Sequence, residues 1–210
     1  MAIRCAGGEI EEALRRLAVL TAGCGAGWVV GGSAGLALRG ARLPSAPRDL
    51  DIYADASAVG ALHGRLADLA TDGPAWDASG SYRSLLAHYR IGGVQIELVG
   101  DFEVRALASH YVTEVDRFLY AEADELRFED GTSVRIVPLG HELIFNLLRE
   151  RPDRTAAVGE LIRAAREAHL PALERLLARQ PLSEEVRRAA LAVATGAESD
   201  SDGRGAGRDG

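Results

Sequence analysis

The chain has 210 residues, 47% of them hydrophobic, which is enough to bury the core of one domain or a small two-part body. No apolar run reaches the roughly 18 residues of a membrane-spanning helix, and Met1–Gly8 lacks a secretory signal's basic and apolar regions. A cytoplasmic protein with no membrane partner is therefore expected. The net charge is −7 and all 24 basic side chains are arginine. This balance disfavours, without excluding, a broad nucleic-acid surface, because such surfaces need an excess of basic groups to neutralise phosphates. It leaves room for a local basic pocket.

In chain order, Glu9 to Leu20 has the apolar spacing of an amphipathic helix. Cys5 and Cys24 have no metal-ligand spacing and read as free thiols. Glycines 23, 25 and 27 end the helix, and Trp28 to Val30 predicts a short buried strand. Gly31-Gly32-Ser33 leads into a helix over Ala34 to Arg39. Leu50 to Tyr53 predicts a strand, Ser57 a helix cap, and the helix runs to about Ala70. Thr71 to Ser81 reads as a loop. Leu85 to Ile91 and Val94 to Val99 flank Gly92-Gly93, a hairpin signal, and Glu125 to Val137 around Asp130-Gly131 is a second. Past a soft boundary near Pro138 four helices are expected, at 141–149, 154–168, 172–178 and 184–194, with breaks at Pro152, Pro171 and Pro181. Residues 195–210 have no apolar side chain larger than alanine and predict a disordered tail. The expected units are thus 1–137, 138–194 and 195–210.

The chemistry concentrates in two segments. Strand, Gly31-Gly32-Ser33 turn and helix together let a phosphate approach the backbone and a helix N-terminus. Ser33 can donate to a phosphate oxygen or cap the helix. In Arg48-Asp49-Leu50-Asp51-Ile52, strand alternation puts both aspartates on one side. Adjacent carboxylates repel, so a pair of this kind calls for a cation between them, and hard oxygen ligands suit Mg²⁺ or Mn²⁺. A pair of solvated loop charges is the alternative. Arg48 reads equally well as a phosphate contact or as a surface partner of Asp49. Glu97, set between Ile96 and Leu98, is a charge in an apolar strand that needs a partner or a task. It can complete a two-metal site and assist removal of an acceptor proton, or it can be an exposed edge residue.

Gly-Gly-Ser opening a helix, Asp-x-Asp, and then a separate acid on a later strand resemble the DNA polymerase beta-like nucleotidyltransferase superfamily. Ser81-Tyr82-Arg83-Ser84 and Tyr89 to Asp101 narrow the resemblance to small nucleotidyltransferase-domain proteins. These are akin to the lincosamide and aminoglycoside nucleotidyltransferases and to abortive-infection toxin nucleotidyltransferases. The likeness spans residues 28 to 101. It implies an α/β (α+β) nucleotidyltransferase core, a short mixed sheet flanked by helices, with a C-terminal helical part. It implies Asp49, Asp51 and Glu97 as metal-binding catalytic carboxylates, and Gly31, Gly32, Ser33 and Arg48 around the triphosphate. Arg39 and Arg83 are weaker candidates of the same kind. The substrate is a nucleoside triphosphate, ATP being the expected one, and a nucleoside monophosphate passes to the hydroxyl of an unidentified acceptor. A small molecule suits the acidic balance. Protein or transfer-RNA acceptors, an antitoxin partner, a homodimer and an inactive nucleotide-binding module are the alternatives.

The relatives carry a lysine on the first C-terminal helix, then a Lys-Asp pair and a second aspartate. Here Asn146 stands at the lysine position, Asp153 matches the acid, and Ala156 and Ala157 follow. His141-Glu142 lacks the second histidine of a zinc-protease motif, and Gly31 to Gly35 lacks the lysine of a Walker loop.

Overall fold

The computed structural model describes residues 8–197. Cys5 and residues 198–210 of the predicted tail lie outside the described residues. Helix α1 (Glu9–Thr21) buries Ala13, Leu14 and Leu17. Strand β1 (Val29–Gly31) turns directly into α2 (Gly32–Leu38), and β2 (Asp49–Ala54) into α3 (Ala56–Leu66). There follow β3 (Ala75–Ser79), β4 (Tyr82–Ile91), β5 (Val94–Ala106) and β6 (Ser109–Val112). A π-helical turn, Val115–Leu119, runs into the short α4 (Tyr120–Glu122) and the hairpin of β7 (Asp124–Arg127) and β8 (Ser133–Ile136). Helices α5 (Leu139–Leu148), α6 (Pro152–Ala164), α7 (Arg166–Arg179) and α8 (Glu184–Thr195) complete the described chain.

The eight strands of the described residues form one mixed, open sheet in the order β3-β4-β5-β2-β1-β8-β7, with β6 on the far end of β5. The β2/β5 and β1/β8 pairs are parallel and the others antiparallel. One face is covered by α1 and α3, whose Leu14, Leu17, Leu62 and Leu66 share a cluster with Leu50, Ile52, Ile96 and Leu98. The alternate residues Tyr53 and Val99 pack on the other face with Val29, Val115 and Val137. Helices α5 to α8 build a separate apolar cluster that takes in Leu36 of α2, Val104 of β5 and Tyr111 of β6. The α/β architecture and both predicted hairpins are present.

Several expectations need correction. The stretch 71–81 is not all loop, because β3 lies within it and pairs with β4. Ser57 is inside α3. The first free amide of that helix, Ala56 N–H, donates to Asp101 Oδ1 at 2.8 Å, so the cap comes from β5 rather than from the preceding residue. Pro171 sits inside α7 instead of ending a helix, and the break falls at Ala165, whose φ of −145° leaves the helical region.

Candidate active site

The parallel pairing of β2 with β5 places Asp51 beside Glu97 and Asp49 beside Gln95. Neighbours in register on adjacent strands, about 4.8 Å apart, point to the same side of a sheet. The three predicted carboxylates therefore share a face, while Leu50, Ile52, Ile96 and Leu98 are fully buried on the other. Gln95 Nε2 donates to Glu97 Oε1 at 3.1 Å, which steadies the glutamate.

The two glycines are explained by what lies against them. A Cβ on Gly32 would come within 1.8 Å of Asp51 Oδ2, and the residue has φ +60°, a left-handed conformation that suits glycine. A Cβ on Gly31 would meet the Tyr53 ring at 2.2 Å. Side chains of β2 thus rest directly on the turn between β1 and α2.

These groups open onto a cavity of about 390 Å³. Asp49, Asp51, Glu97, Gly32 and Ser33 line it on the sheet side, and Arg149, Arg151 and Arg154 line it from the α5–α6 junction. Asp77, Ser79 and Ser84 of β3 and β4 line it too, with Val99, Phe102 and Phe145 supplying apolar wall. Burial, then the neighbouring Glu97 and Asp49, push the Asp51 carboxyl up to about 7, against the opposing pull of Arg149 and Arg154. Arg149 rests its guanidinium 5.1 Å from the Phe145 ring and 5.8 Å from Tyr82, contacts that orient a cation without neutralising it. Arg151 and Arg154 flank Asp153 at 3.2 and 3.7 Å.

Sequence reading missed Glu142. It is buried in α5, accepts the Gly32 N–H at 2.7 Å and is held on its other oxygen by Asn146 Nδ2 at 3.2 Å. Burial raises its carboxyl to about 7, with Asp51 adding to the rise and the Gly32 amide, Arg39 and Asn146 opposing it. The signal was present in the sequence. Glu142 and Asn146 are four residues apart, on one face of a helix that is apolar apart from them and His141. The three arginines carry no such signal, because they reach the cavity only through the turn between α5 and α6.

Other expectations are revised. Ser33 lines the cavity as the second residue of α2 and makes no capping bond. The Gly32 amide already serves Glu142, so it is not a free phosphate donor. Gly31 is buried under Tyr53, and Arg48 is exposed; neither lines the cavity. Arg39 is buried and turned away, paired with Asp124 and donating to the Ile136 and Val137 carbonyls. Arg83 pairs with Glu103 at 2.9 Å and stacks on Trp76. Asp153 is spent on its arginine neighbours and does not line the cavity.

A candidate nucleotidyltransferase from Thermotoga maritima is similar in structure, with a TM-score of 0.57 and 17% identity, over 73% of this chain and 92% of that one. The fold is that of a nucleotidyltransferase. Two looser likenesses decide nothing further about this nucleotidyltransferase-fold chain. One is to the antibiotic-resistance factor ANT(2'')-Ia, solved with adenylyl-2''-tobramycin (TM-score 0.43, 14% identity, 87% of this chain, 95% of that). The other is to the lincosamide adenylyltransferase LnuA, solved with lincomycin (0.42, 14%, 72% and 97%). No family model and no curated protein matches the sequence. No described helix is long and apolar enough to cross a membrane.

Among the described residues no three His, Cys, Asp or Glu side chains are gathered into a ready-made metal cage. Magnesium does not require one, since it keeps several waters and takes one or two carboxylates plus substrate phosphate oxygens. The hard oxygens of Asp49, Asp51 and Glu97, facing arginines across a cavity, suit that chemistry.

Proposed function

We propose that the chain is a Mg²⁺-dependent nucleotidyltransferase that uses a nucleoside triphosphate, with ATP the first candidate. The observation that carries this reading is the register of Asp51 with Glu97, set on Gly32 and facing Arg149, Arg151 and Arg154. Carboxylates on one wall and guanidinium groups on the other match the divided charge of a metal-bound triphosphate.

Asp49 and Asp51 would hold the divalent cation and Glu97 would complete its site. When bound, the cation supplies Lewis-acid polarisation of the phosphate and offsets charge as pyrophosphate leaves. Arg149 is the principal phosphate contact, because among the described residues its guanidinium rests on aromatic faces and makes no ion pair. Arg151 and Arg154 hold the β- and γ-phosphates, and Ser33 donates its hydroxyl. In the reaction the acceptor oxygen forms a bond to the α-phosphorus and the bond from that phosphorus to the pyrophosphate oxygen breaks. The acceptor proton passes to a carboxylate, for which Glu97 is placed beside Asp51.

The test is incubation with labelled ATP, CTP, GTP or UTP, Mg²⁺ and candidate acceptors. Label transfer by the wild type that disappears in Asp49→Ala/Asp51→Ala supports the enzyme. Tight nucleotide binding with no transfer to any acceptor, the protein itself included, would instead identify a nucleotide-binding module.

A further inference from the structure

Nine of the ten residues of α5 are buried, and polar side chains in such a helix are costly unless they are paired. His141 is satisfied on one nitrogen by Tyr111 at 2.7 Å. Glu142 and Asn146, one turn apart, face the cavity instead. The Glu142 carboxylate is locked from two sides, by the Gly32 N–H on Oε1 and the Asn146 amide on Oε2. That same amide also donates to the Glu142 carbonyl at 2.8 Å, fixing its orientation. Gly32 in turn is the residue on which Asp51 Oδ2 rests. A continuous chain of contacts therefore runs from a helix of the C-terminal region, through one backbone amide, to a proposed metal ligand on β2.

We infer that Glu142 is a positioning residue, which by holding the Gly32 N–H fixes the glycine turn and with it the direction in which Asp51 presents its carboxylate. The inference rests on the nucleotidyltransferase reading. Rotation of the Gly32 peptide would move its Cα against Asp51, so the hydrogen bond at the amide sets the place of the aspartate. Asp51 lies close enough to raise the cost of a second carboxylate, and burial already penalises the charge. A carboxylate nonetheless accepts one N–H donor on each of its two oxygens, here Gly32 on Oε1 and Asn146 on Oε2. Because Glu142 takes this amide, phosphate binding is left to Ser33 and the arginines. The roles then separate: Glu142 acts on the cation side and the arginines on the phosphate side.

The separation is measurable by calorimetric titration of ATP at a series of Mg²⁺ concentrations and in EDTA, for wild type, Glu142→Ala, Glu142→Gln and Arg149→Ala. Glu142→Ala is expected to raise the Mg²⁺ concentration for half-maximal ATP binding about tenfold, the factor that corresponds to one ordinary hydrogen bond. Its affinity for ATP in EDTA should stay within about twofold of wild type, on the same free-energy scale. Glu142→Gln keeps a carbonyl oxygen for the Gly32 amide, giving up only the contact with Asn146, and should recover most of the Mg²⁺ response. Arg149→Ala should do the reverse of Glu142→Ala, weakening ATP in EDTA. If folded Glu142→Ala keeps the wild-type Mg²⁺ requirement, or if Glu142→Gln loses as much as Glu142→Ala, the positioning role is overturned. Should Glu142→Ala fail to fold, Glu142→Leu, which fills the space without an acceptor, takes its place, and an unchanged Mg²⁺ requirement there overturns the role equally. Absence of any Mg²⁺-dependent ATP binding by the wild type would be a different failure, that of the functional reading itself.

Discussion

Asp51 stands where burial and two neighbouring carboxylates favour its proton, with arginines pulling the other way. Its carboxyl ordinarily titrates near 3.8 and is raised to about 7 in the fold. The folded state therefore holds more protons than the unfolded state between these values, and linkage gives unfolding free energy a negative slope with pH. The contribution is fully present below the unfolded pKa and lost as pH rises through the folded one. In EDTA, the melting temperature should fall as pH is raised from about 5 to about 8. Asp51→Asn, which has no charge to bury, should make that profile shallower, with Glu142, also raised to about 7, keeping part of the slope. A wild-type melting temperature that rises over the same range would contradict the assigned environment. Gly32→Ala is the complementary test. It puts a methyl group onto Asp51 and an L side chain in the left-handed region, a conformation that costs roughly 1–2 kcal/mol. Denaturant unfolding should show at least that loss, and Mg²⁺-dependent ATP binding should go with it.

The elements that place the carboxylates were legible because their signals are local. Alternation in β2 and β5 and the Gly92-Gly93 turn depend only on neighbouring residues. Signals that depend on distant partners were not legible. Ser57 looked like a cap because nothing in its neighbourhood shows that Asp101, 45 residues away, takes the Ala56 amide. Strand β3 carries only exposed residues, so its sequence lacks the apolar alternation that marks a half-buried strand, and pairing with β4 alone makes it one. Pro171 looked like a stop, yet α7 continues through it with Leu173, Leu176 and Leu177 buried, so tertiary packing overrides the missing hydrogen bond. An element remote from the cavity supplies a control. Ser183 caps α8 by accepting the Val186 N–H at 3.3 Å, and its own N–H donates to Ser109 of β6. Ser183→Ala should lower the unfolding free energy by about 1 kcal/mol and leave the Kd for Mg²⁺-ATP unchanged. A change in that Kd would mean that the helical region is coupled to the site more widely than through Glu142.

For the molecule as a whole, a net charge of −7 coexists with a local wall of guanidinium groups. The global balance describes the surface, and the cavity keeps its own. That is why composition argued against a broad polyanion site and still left room for a triphosphate. The order of Gly-Gly-Ser, Asp-x-Asp and Glu pointed to one wall of the cavity. The opposite wall was hidden, because Arg149 and Arg154 become its neighbours only when α5 and α6 fold back over the sheet. Glu142 was hidden for the same reason, since its partner amide is 110 residues away. The measurement that bears most directly on the assignment is a crystal structure with Mg²⁺ and an ATP analogue whose α–β bridge resists cleavage. The expected result is a cation on Asp49 and Asp51, with the β- and γ-phosphates against Arg149, Arg151 and Arg154. Nucleotide bound elsewhere on the molecule, or lodged in this cavity with no cation on the two aspartates, would contradict it.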